Sequence, residues 1–227
     1  MRGWLLSWSL VLAHATSAWG QGVYLPSLGG GSVAMPVTSI HAARLARTVR
    51  QQYDFSCGSA AVATLLTHHY GHAVSEQDVF EAMYARGDQQ KIQQEGFSLF
   101  DMKLYLQDQG FDADGFEQPL DKLQQARVPA IVLINEHGYN HFVVIKGVKD
   151  DRVLIGDPAS GTRSMTREAF EASWPNRLLF VIHNRMEQAQ FNMASDWRAA
   201  PQAPLAVGVG RDGLAASTLT RSGPGDF

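Results

Sequence analysis

Residues 141–157 read HFVVIKGVKDDRVLIGD and contain two short runs of β-branched and apolar residues. The stretch between the runs is polar and contains a glycine, so the segment predicts two antiparallel strands joined by a turn. The outer ends of such a strand pair lie side by side. His141 begins the first strand and Asp157 ends the second, so we expect the hairpin to place this histidine next to this aspartate.

Helical patterns fill the chain before the hairpin, whereas strand patterns surround it. The predicted helices cover residues 39–50, the run from Cys57 to Gly71, two segments with capping boxes at Ser75/Asp78 and Ser98/Asp101, and residues 120–126. The further predicted strands are residues 129–134 and 177–183, and the polar residues 87–96 are expected to form a loop. Helices first and strands second predict an α+β fold, with an N-terminal helical half packed on a C-terminal antiparallel sheet.

The charge balance of the chain excludes some classes of partner. Among 227 residues, 19 are Lys or Arg and 22 are Asp or Glu, which gives a formal net charge of −3. A nucleic-acid-binding protein or one attracted to an anionic membrane surface usually has a basic excess. We therefore expect no nucleic-acid partner. The hydrophobic fraction of 45% is ordinary for a folded domain with a core.

Residues 1–20, MRGWLLSWSLVLAHATSAWG, have the pattern of a cleaved secretory signal peptide. A basic residue comes first, an apolar stretch over residues 4–13 follows, and small residues stand at Ala18 and Gly20. The alternative is a retained membrane anchor, but the apolar stretch is shorter than the about 20 residues that cross a bilayer. The expected location is the bacterial periplasm, with no stable membrane insertion after cleavage.

Composition divides the rest of the chain into three parts. Residues 21–37 are rich in Gly, Pro and Ser and predict an extended lead-in. Residues 38–186 hold the helical and strand patterns and predict one folded domain. Residues 187–227 lose this periodicity and become rich in Gly, Ala and Pro, so they predict a flexible tail.

Cys57 is the only cysteine of the chain, so it has no partner for an intramolecular disulfide. In an oxidising compartment such a thiol is buried and inert, paired between chains, or free and reactive. The sequence FSCGSAAVATLL predicts that Cys57 stands at the first turn of a helix. The free N–H groups and dipole of a helix N-terminus favour a thiolate, so this position is expected to lower the thiol pKa.

A reactive thiol needs a base, and the chain contains eight histidines. His68, His69 and His72 follow Cys57 on its own helix and lie about 16–22 Å along the helix axis, too far to assist it. His141 is a better base than His137, which the sequence places in a turn, because a strand would fix the position of His141 and Asp157 could then orient its imidazole. The histidines of HHYGH lack a third ligand nearby, so neither a metal nor an organic cofactor is expected.

Acyl chemistry also needs a donor for the developing oxyanion. The side-chain amide of Gln51 or of Gln52 could share this role with the backbone N–H of Cys57. The residues themselves leave both glutamines open.

The pattern Q…CG.AA…LL, followed by HFVVIKGV and IGDP.SG, resembles the C39 peptidases, papain-like cysteine proteases that remove double-glycine leaders from exported peptides. The resemblance covers roughly residues 49–174. It implies a papain-like α+β fold, with Cys57 as nucleophile, His141 as base, Asp157 as orienting acid and Gln51 as the oxyanion-hole side chain. Without a transporter span or an ATPase motif, the chain looks more like the stand-alone periplasmic members, such as those associated with bacterial functional-amyloid secretion.

The expected function is hydrolysis of a peptide bond in a secreted or periplasmic substrate by an exported cysteine peptidase. Candidate substrates are a peptide or a protein, including an amyloid subunit or an export component. One alternative is a slow or inactive peptidase-fold module that binds an export substrate. Another is acyl transfer to an amine, since transglutaminase-like enzymes also use Cys, His and Asp.

Overall fold

The computed structural model describes the backbone of residues 22–26, 32–36 and 38–200, and the side chains of residues 38–200. The predicted signal peptide and the last part of the predicted tail, residues 201–227, lie outside the described residues. The chain divides into two compact units, with the boundary in the sequence between Ser39 and Ile40. In the first unit, β1 (Gly22–Pro26) and β2 (Ser32–Pro36) pair antiparallel within the predicted lead-in.

The second unit carries helices first and most of its sheet afterwards, in the predicted order. Its helices are α1 (Ile40–Leu45), α2 (Cys57–His69), α3 (Glu76–Arg86), α4 (Gln89–Glu95), α5 (Leu99–Asp108), α6 (Leu120–Ala126), α7 (Arg167–Ser173) and α8 (Ala194–Trp197), with a 3₁₀ turn at Met186–Gln188. Its strands are β3 (Ala113–Glu117), β4 (Ala130–Glu136), β5 (Tyr139–Lys149), β6 (Arg152–Asp157), β7 (Gly161–Thr166) and β8 (Leu178–Ile182). They form a six-stranded antiparallel sheet in the order β3-β8-β4-β5-β6-β7.

The β5–β6 hairpin has the predicted antiparallel arrangement. Val144 lies opposite Gly156 and Lys149 lies opposite Arg152, with a bulge between Ile145 and Gly147. The bulge accommodates one extra residue in β5 without breaking the pairing. The hairpin thereby brings the start of β5 close to the end of β6.

The central helix α2 is buried along nearly its whole length because small residues fill its first turns. A Cβ atom on Gly58 would lie 2.7 Å from the end of the Met102 side chain and 3.0 Å from Cβ of Phe97. Glycine at this position therefore lets the start of α2 approach α5 and the segment before it. The predicted capping boxes of α3 and α5 are confirmed.

One apolar cluster lies between the sheet and helices α2, α3 and α5, and a second covers the opposite face of the sheet under α6 and α7. Both faces of the strands β4 and β5 are therefore buried, which explains their nearly continuous apolar sequence. Among the residues described, no helix combines the length and apolar character that a membrane crossing requires.

Several predicted elements need correction. The loop expected at residues 87–96 contains α4, where Asp88 caps the helix by accepting the Lys91 backbone N–H and Ile92 is buried. The helix expected over residues 39–50 is shorter and spans Ile40–Leu45. The strands β3 and β7 and the helix α7 were not predicted at all.

The packed region also extends beyond the boundary that we predicted at residue 186. Phe191 is buried in the second apolar cluster. The carboxylate of Asp196 lies 2.6 Å from the ammonium of Lys146 on β5, and both side chains are fully buried. The segment between residues 187 and 200 is therefore part of the fold, because it supplies the counter-ion for a lysine inside the domain.

Candidate active site

Cys57 is the first residue of α2, and its side chain is buried. Burial is the largest influence on the thiol and raises its pKa, and the charge of Asp157 acts in the same direction. The backbone N–H groups of Phe142, Gly58 and Cys57 oppose this effect, but the net pKa is raised. The expectation of a lowered thiol pKa was therefore wrong, because desolvation outweighs the helix N-terminus.

The interaction with the Phe142 N–H places the sulfur next to β5, one residue beyond His141. His141 lies opposite Ile134 of β4, and its imidazole is almost completely buried. Nε2 lies 3.5 Å from Oδ2 of Asp157, which is ion-pair range but longer than a formed hydrogen bond. Within residues 38–200 neither ring nitrogen has a hydrogen-bond partner. Such contacts often tighten only when substrate binds.

Asp157 ends β6, and both of its carboxylate oxygens are engaged. Oδ1 accepts the backbone N–H groups of Ala159 at 2.8 Å and Ser160 at 3.3 Å. Oδ2 accepts Nε and Nη2 of Arg163 at 3.2 and 3.1 Å. Burial by itself would raise the pKa of Asp157, but the contacts with His141, Ala159 and Arg163 together hold it well below its usual range. The carboxylate is therefore ionised and fixed beside the imidazole.

The structure shows Gln51 bound to the loop that precedes Cys57. Its side-chain amide donates to the carbonyls of Tyr53 at 3.0 Å and Asp54 at 3.4 Å. Its backbone N–H donates to the carbonyl of Pro158, directly after Asp157. The role of Gln51 in an oxyanion hole stays a prediction, since its amide would have to leave these carbonyls to donate to a substrate.

Tyr139 also contributes to the site, although the sequence analysis did not assign it there. Its ring stacks on the imidazole of His141, with centroids 5.6 Å apart and planes inclined by 26°. Its hydroxyl donates to the carbonyl of Asp54 at 3.0 Å. Tyr139 thereby connects the start of β5 with the loop before α2 and covers one face of the imidazole.

A cleft of about 400 Å³ opens beside the sulfur. Its lining combines the loop before α2, the end of α4 and the start of β5: Asp54, Phe55, Cys57, Gln93, Gln94, Glu95, Gly96, Tyr139 and Asn140. Side-chain amides and carboxylates dominate the polar part of this lining. The cleft can therefore offer hydrogen bonds to the main chain of an extended peptide.

Comparison with known proteins identifies the family. Residues 46–186 match the model of the peptidase C39 family. The chain belongs to the peptidase C39 family, and it is a cysteine peptidase. A protein of Pseudomonas aeruginosa named "Probable functional amyloid protease FapD" is 39% identical over 183 residues, which are 80% of each chain. Its namesake in Pseudomonas fluorescens is 38% identical over 174 residues, or 76% of each chain.

A solved C39 peptidase domain has the same fold. The peptidase domain of Streptococcus ComA, a bifunctional ABC transporter of a quorum-sensing pathway, aligns with a TM-score of 0.50 and 21% identity. The alignment covers 60% of this chain and 97% of that domain. The predicted papain-like α+β fold is thereby confirmed. The family match ends at residue 186, so the packed segment up to residue 200 lies outside it.

Two charged residues near the imidazole of this C39 peptidase were missed by the sequence analysis. Glu136 ends β4, with Oε2 4.0 Å from Nε2 of His141, and Arg163 on β7 binds both Glu136 and Asp157. Glu136, His141 and Asp157 each offer a possible metal ligand, with the three atoms within 4.8 Å of one another. The guanidinium of Arg163 already bridges the two carboxylates, so the protein itself supplies a cation there.

Proposed function

We propose that this C39 peptidase cleaves a peptide bond of an exported protein, with Cys57 as nucleophile, His141 as base and Asp157 as the orienting carboxylate. One observation carries the proposal. The thiol at the N-terminus of α2 adjoins the Phe142 N–H, and the preceding residue, His141, lies 3.5 Å from an ionised aspartate. The helix that carries the proposed nucleophile thus adjoins the strand that carries the proposed base, and the base lies beside the proposed orienting acid, which supports the assignment.

The raised pKa of Cys57 determines how the first step runs. A thiol that keeps its proton must lose it as the sulfur attacks, so His141 accepts that proton while the C–S bond to the substrate carbonyl forms. The imidazolium then gives the proton to the leaving amine as the C–N bond breaks. Water then loses a proton to the same imidazole and forms a C–O bond to the acyl carbon. As the C–S bond breaks, the acid product leaves and the imidazolium returns the proton to the sulfur. Asp157 stabilises the imidazolium throughout.

The oxyanion of each tetrahedral intermediate needs donors near the sulfur. The backbone N–H of Cys57 lies at the helix N-terminus and is a candidate donor, and Gln51 can join it if its amide turns away from the Tyr53 and Asp54 carbonyls. One such donor is worth about 2.7–4 kcal/mol of transition-state stabilisation. Loss of the Gln51 amide is therefore expected to lower kcat by about 100-fold.

The relatives support a substrate connected with amyloid export. Two Pseudomonas proteins named functional amyloid protease are 39% and 38% identical over most of this chain. Together with the signal-peptide pattern of residues 1–20, this similarity supports action in the periplasm on a protein of an amyloid export system, either an amyloid subunit or an export component. The amide-lined cleft suits an extended polar segment of such a protein.

The peptide termini of secreted and periplasmic proteins provide the test. Cells with the wild-type protein are compared with cells carrying Cys57→Ala, and new termini that depend on the thiol identify the cleaved protein. A matched control is His183→Ala, which removes an exposed histidine bound to Asp114 at 3.0 Å. Identical termini in the wild-type and Cys57→Ala cells would refute the peptidase proposal.

The burial of the sulfur favours a second candidate, a binding module with little turnover. Iodoacetamide labelling of Cys57 against pH separates the two candidates, because a base that contacts the thiol changes this profile. Under the peptidase proposal His141→Ala alters the labelling profile, whereas His183→Ala does not. A profile unchanged by His141→Ala, together with secretion that is restored by Cys57→Ser, would favour the binding module.

A further inference from the structure

Four neighbouring strands each contribute one charged or titratable side chain to a single cluster. Glu136 ends β4, His141 is near the start of β5, Asp157 ends β6 and Arg163 lies on β7. Because these strands are adjacent in the sheet, the cluster is fixed by backbone pairing rather than by a flexible loop. The proposed function uses only His141 and Asp157 of this set, which leaves Glu136 and Arg163 to be explained.

Two carboxylates compete for the same imidazole nitrogen. Oδ2 of Asp157 lies 3.5 Å from Nε2 of His141, and Oε2 of Glu136 lies 4.0 Å from it. The side chains of His141 and Asp157 are more than nine-tenths buried, so charges here are poorly screened. Without a nearby cation the two carboxylates would repel each other, and either could hold the imidazole.

Arg163 binds both carboxylates, but at different hydrogen-bond lengths. Its Nη2 donates to Oε2 of Glu136 at 2.6 Å, and Nη2 and Nε donate to Oδ2 of Asp157 at 3.1 and 3.2 Å. Glu136 therefore takes the shortest bond, and its Oε2 stays 4.0 Å from Nε2 of His141, farther than Oδ2 of Asp157. Asp157 is fixed from the opposite side by two backbone N–H groups and keeps its place next to Nε2.

We propose that Arg163, anchored by Glu136, is a positioning residue that selects Asp157 as the partner of His141 and keeps the charge next to the sulfur balanced. The inference rests on the proposed function, which it deepens. It predicts two separable effects: the guanidinium fork sets the orientation of the carboxylate, and the positive charge of Arg163 reduces the effect of Asp157 on Cys57.

The second effect has a direct readout at the sulfur. The charge of Asp157 contributes to the raised pKa of Cys57. Loss of the positive charge on Arg163 leaves this carboxylate less neutralised, so the pKa of Cys57 rises further. Within residues 38–200, the charged and titratable groups that face the imidazole and the sulfur are Glu136 from β4, Tyr139 from β5, Asp157 from β6, Arg163 from β7, Asp54 from the loop before α2 and Glu95 from the end of α4.

The experiment combines Arg163→Met, Arg163→Lys and the double variant Arg163→Met/Glu136→Gln. The readouts are peptide cleavage, with kcat and KM separated, and the pH midpoint of Cys57 labelling by iodoacetamide. Arg163→Met is expected to lower kcat by about 10–100-fold, as is typical when a partner of a site residue is lost, with KM changed by less than about twofold. Its labelling midpoint is expected to rise by about half a pH unit.

The conservative and double variants separate charge from geometry. Arg163→Lys keeps the charge but loses the fork, so the midpoint stays near the wild-type value while kcat falls. The double variant removes one positive and one negative charge, so its labelling midpoint is expected to lie close to the wild-type value. This comparison with the wild type can be made even if Arg163→Met does not fold. Arg167→Met is the matched control, since Arg167 also bridges two carboxylates, Asp121 and Glu171, at 2.7–2.9 Å.

The outcomes distinguish this inference from the proposed function. An Arg163→Met protein with the same kcat and labelling midpoint as Arg167→Met would overturn the inference while peptide cleavage by the wild type still stood. An equal midpoint shift in Arg163→Met and Arg163→Lys would also overturn it, because charge would then not be the cause. A labelling midpoint that differs between Arg163→Met and the wild type, together with identical peptide termini in wild-type and Cys57→Ala cells, would support the charge effect of Arg163 on Cys57 and refute the peptidase proposal.

Discussion

Replacement of Asp196 by alanine is expected to destabilise the domain strongly, although Asp196 lies outside the C39 match. The Lys146 ammonium has no exposure to solvent and contacts Asp196 at 2.6 Å, the Arg47 carbonyl at 2.7 Å and the Thr162 hydroxyl at 3.2 Å. In Asp196→Ala the lysine loses its only anionic partner within the described residues. Breaking a buried ion pair from one side costs about 3–5 kcal/mol. For a chain of this size that corresponds to a fall in Tm of about 6–20 °C.

The loss of stability in Asp196→Ala should depend on pH through the pKa of Lys146. Burial lowers that pKa and Asp196 opposes the lowering, so removal of Asp196 lowers it further. The unfolded chain then binds the proton of Lys146 more readily than the folded chain does, so the stability of the variant rises with pH. The defect of Asp196→Ala is therefore expected to be larger at pH 7 than at pH 9.5. Addition of Lys146→Met should recover most of the lost stability, because the buried charge is then absent.

Urea unfolding followed by circular dichroism measures these differences. Asp108→Ala is the matched control, since Asp108 forms an exposed ion pair with Arg86 that should contribute no more than about 1 kcal/mol. A loss below about 1 kcal/mol for Asp196→Ala would refute the assignment of residues 187–200 to the folded core. Failure of Lys146→Met to rescue the variant would show that the cost arises from packing or from the lost Arg47–Asp196 ion pair at 3.0 Å, rather than from the unpaired lysine.

Three further predictions concern the site, the stability at low pH and the packing of α2. Asp157→Asn should lower kcat/KM by at least about 100-fold, because a neutral amide no longer stabilises the imidazolium, and it should also lower Tm, because the contacts that depress the pKa of Asp157 stabilise the fold. An unchanged rate in a fluorogenic peptide assay well below the Tm of the variant would contradict this role. Burial lowers the pKa of His69 to about 4. The free energy of unfolding should therefore be highest above pH 6.5 and fall by about 3 kcal/mol toward pH 4, because the unfolded chain binds the proton of His69 more readily than the folded chain. Urea unfolding of His69→Phe should show a flatter profile, and an equally steep one would exclude His69 as the source. Gly58→Val should cost about 1–3 kcal/mol in urea unfolding because its side chain would meet Phe97 and Met102, and wild-type stability would contradict this packing.

The parts of the fold that the sequence predicted are those whose signal is local. The β5–β6 hairpin combines two apolar runs with a polar turn, and the helices α3 and α5 begin with capping boxes only four residues long. These signals do not depend on distant residues. The proximity of His141 and Asp157 followed from the hairpin alone, since the strand register fixes which ends meet.

The missed elements depend on distant partners. The strand β7 has the polar sequence GTRSMT and becomes a strand because it pairs with β6 along its whole length. The helix α4 contains four glutamines and one buried apolar residue, Ile92, so no amphipathic pattern was visible. Arg163 could not be assigned to the site before the position of β7 was known. One local signal was overlooked: Lys146 interrupts an apolar run in the middle of β5, and a buried lysine requires a counter-ion somewhere in the chain.

The raised pKa of Cys57 changes what the rest of the site has to achieve. A preformed thiolate would attack without a proton transfer, so the imidazole would be needed only for the leaving amine and for water. A protonated thiol reacts only when an imidazole removes its proton during attack, so the rate depends on how accurately that ring is held. Tyr139 stacked on one face of the ring and Asp157 fixed from both sides provide this accuracy. A buried sulfur therefore requires an accurately positioned imidazole, and the charge cluster around His141 provides that positioning.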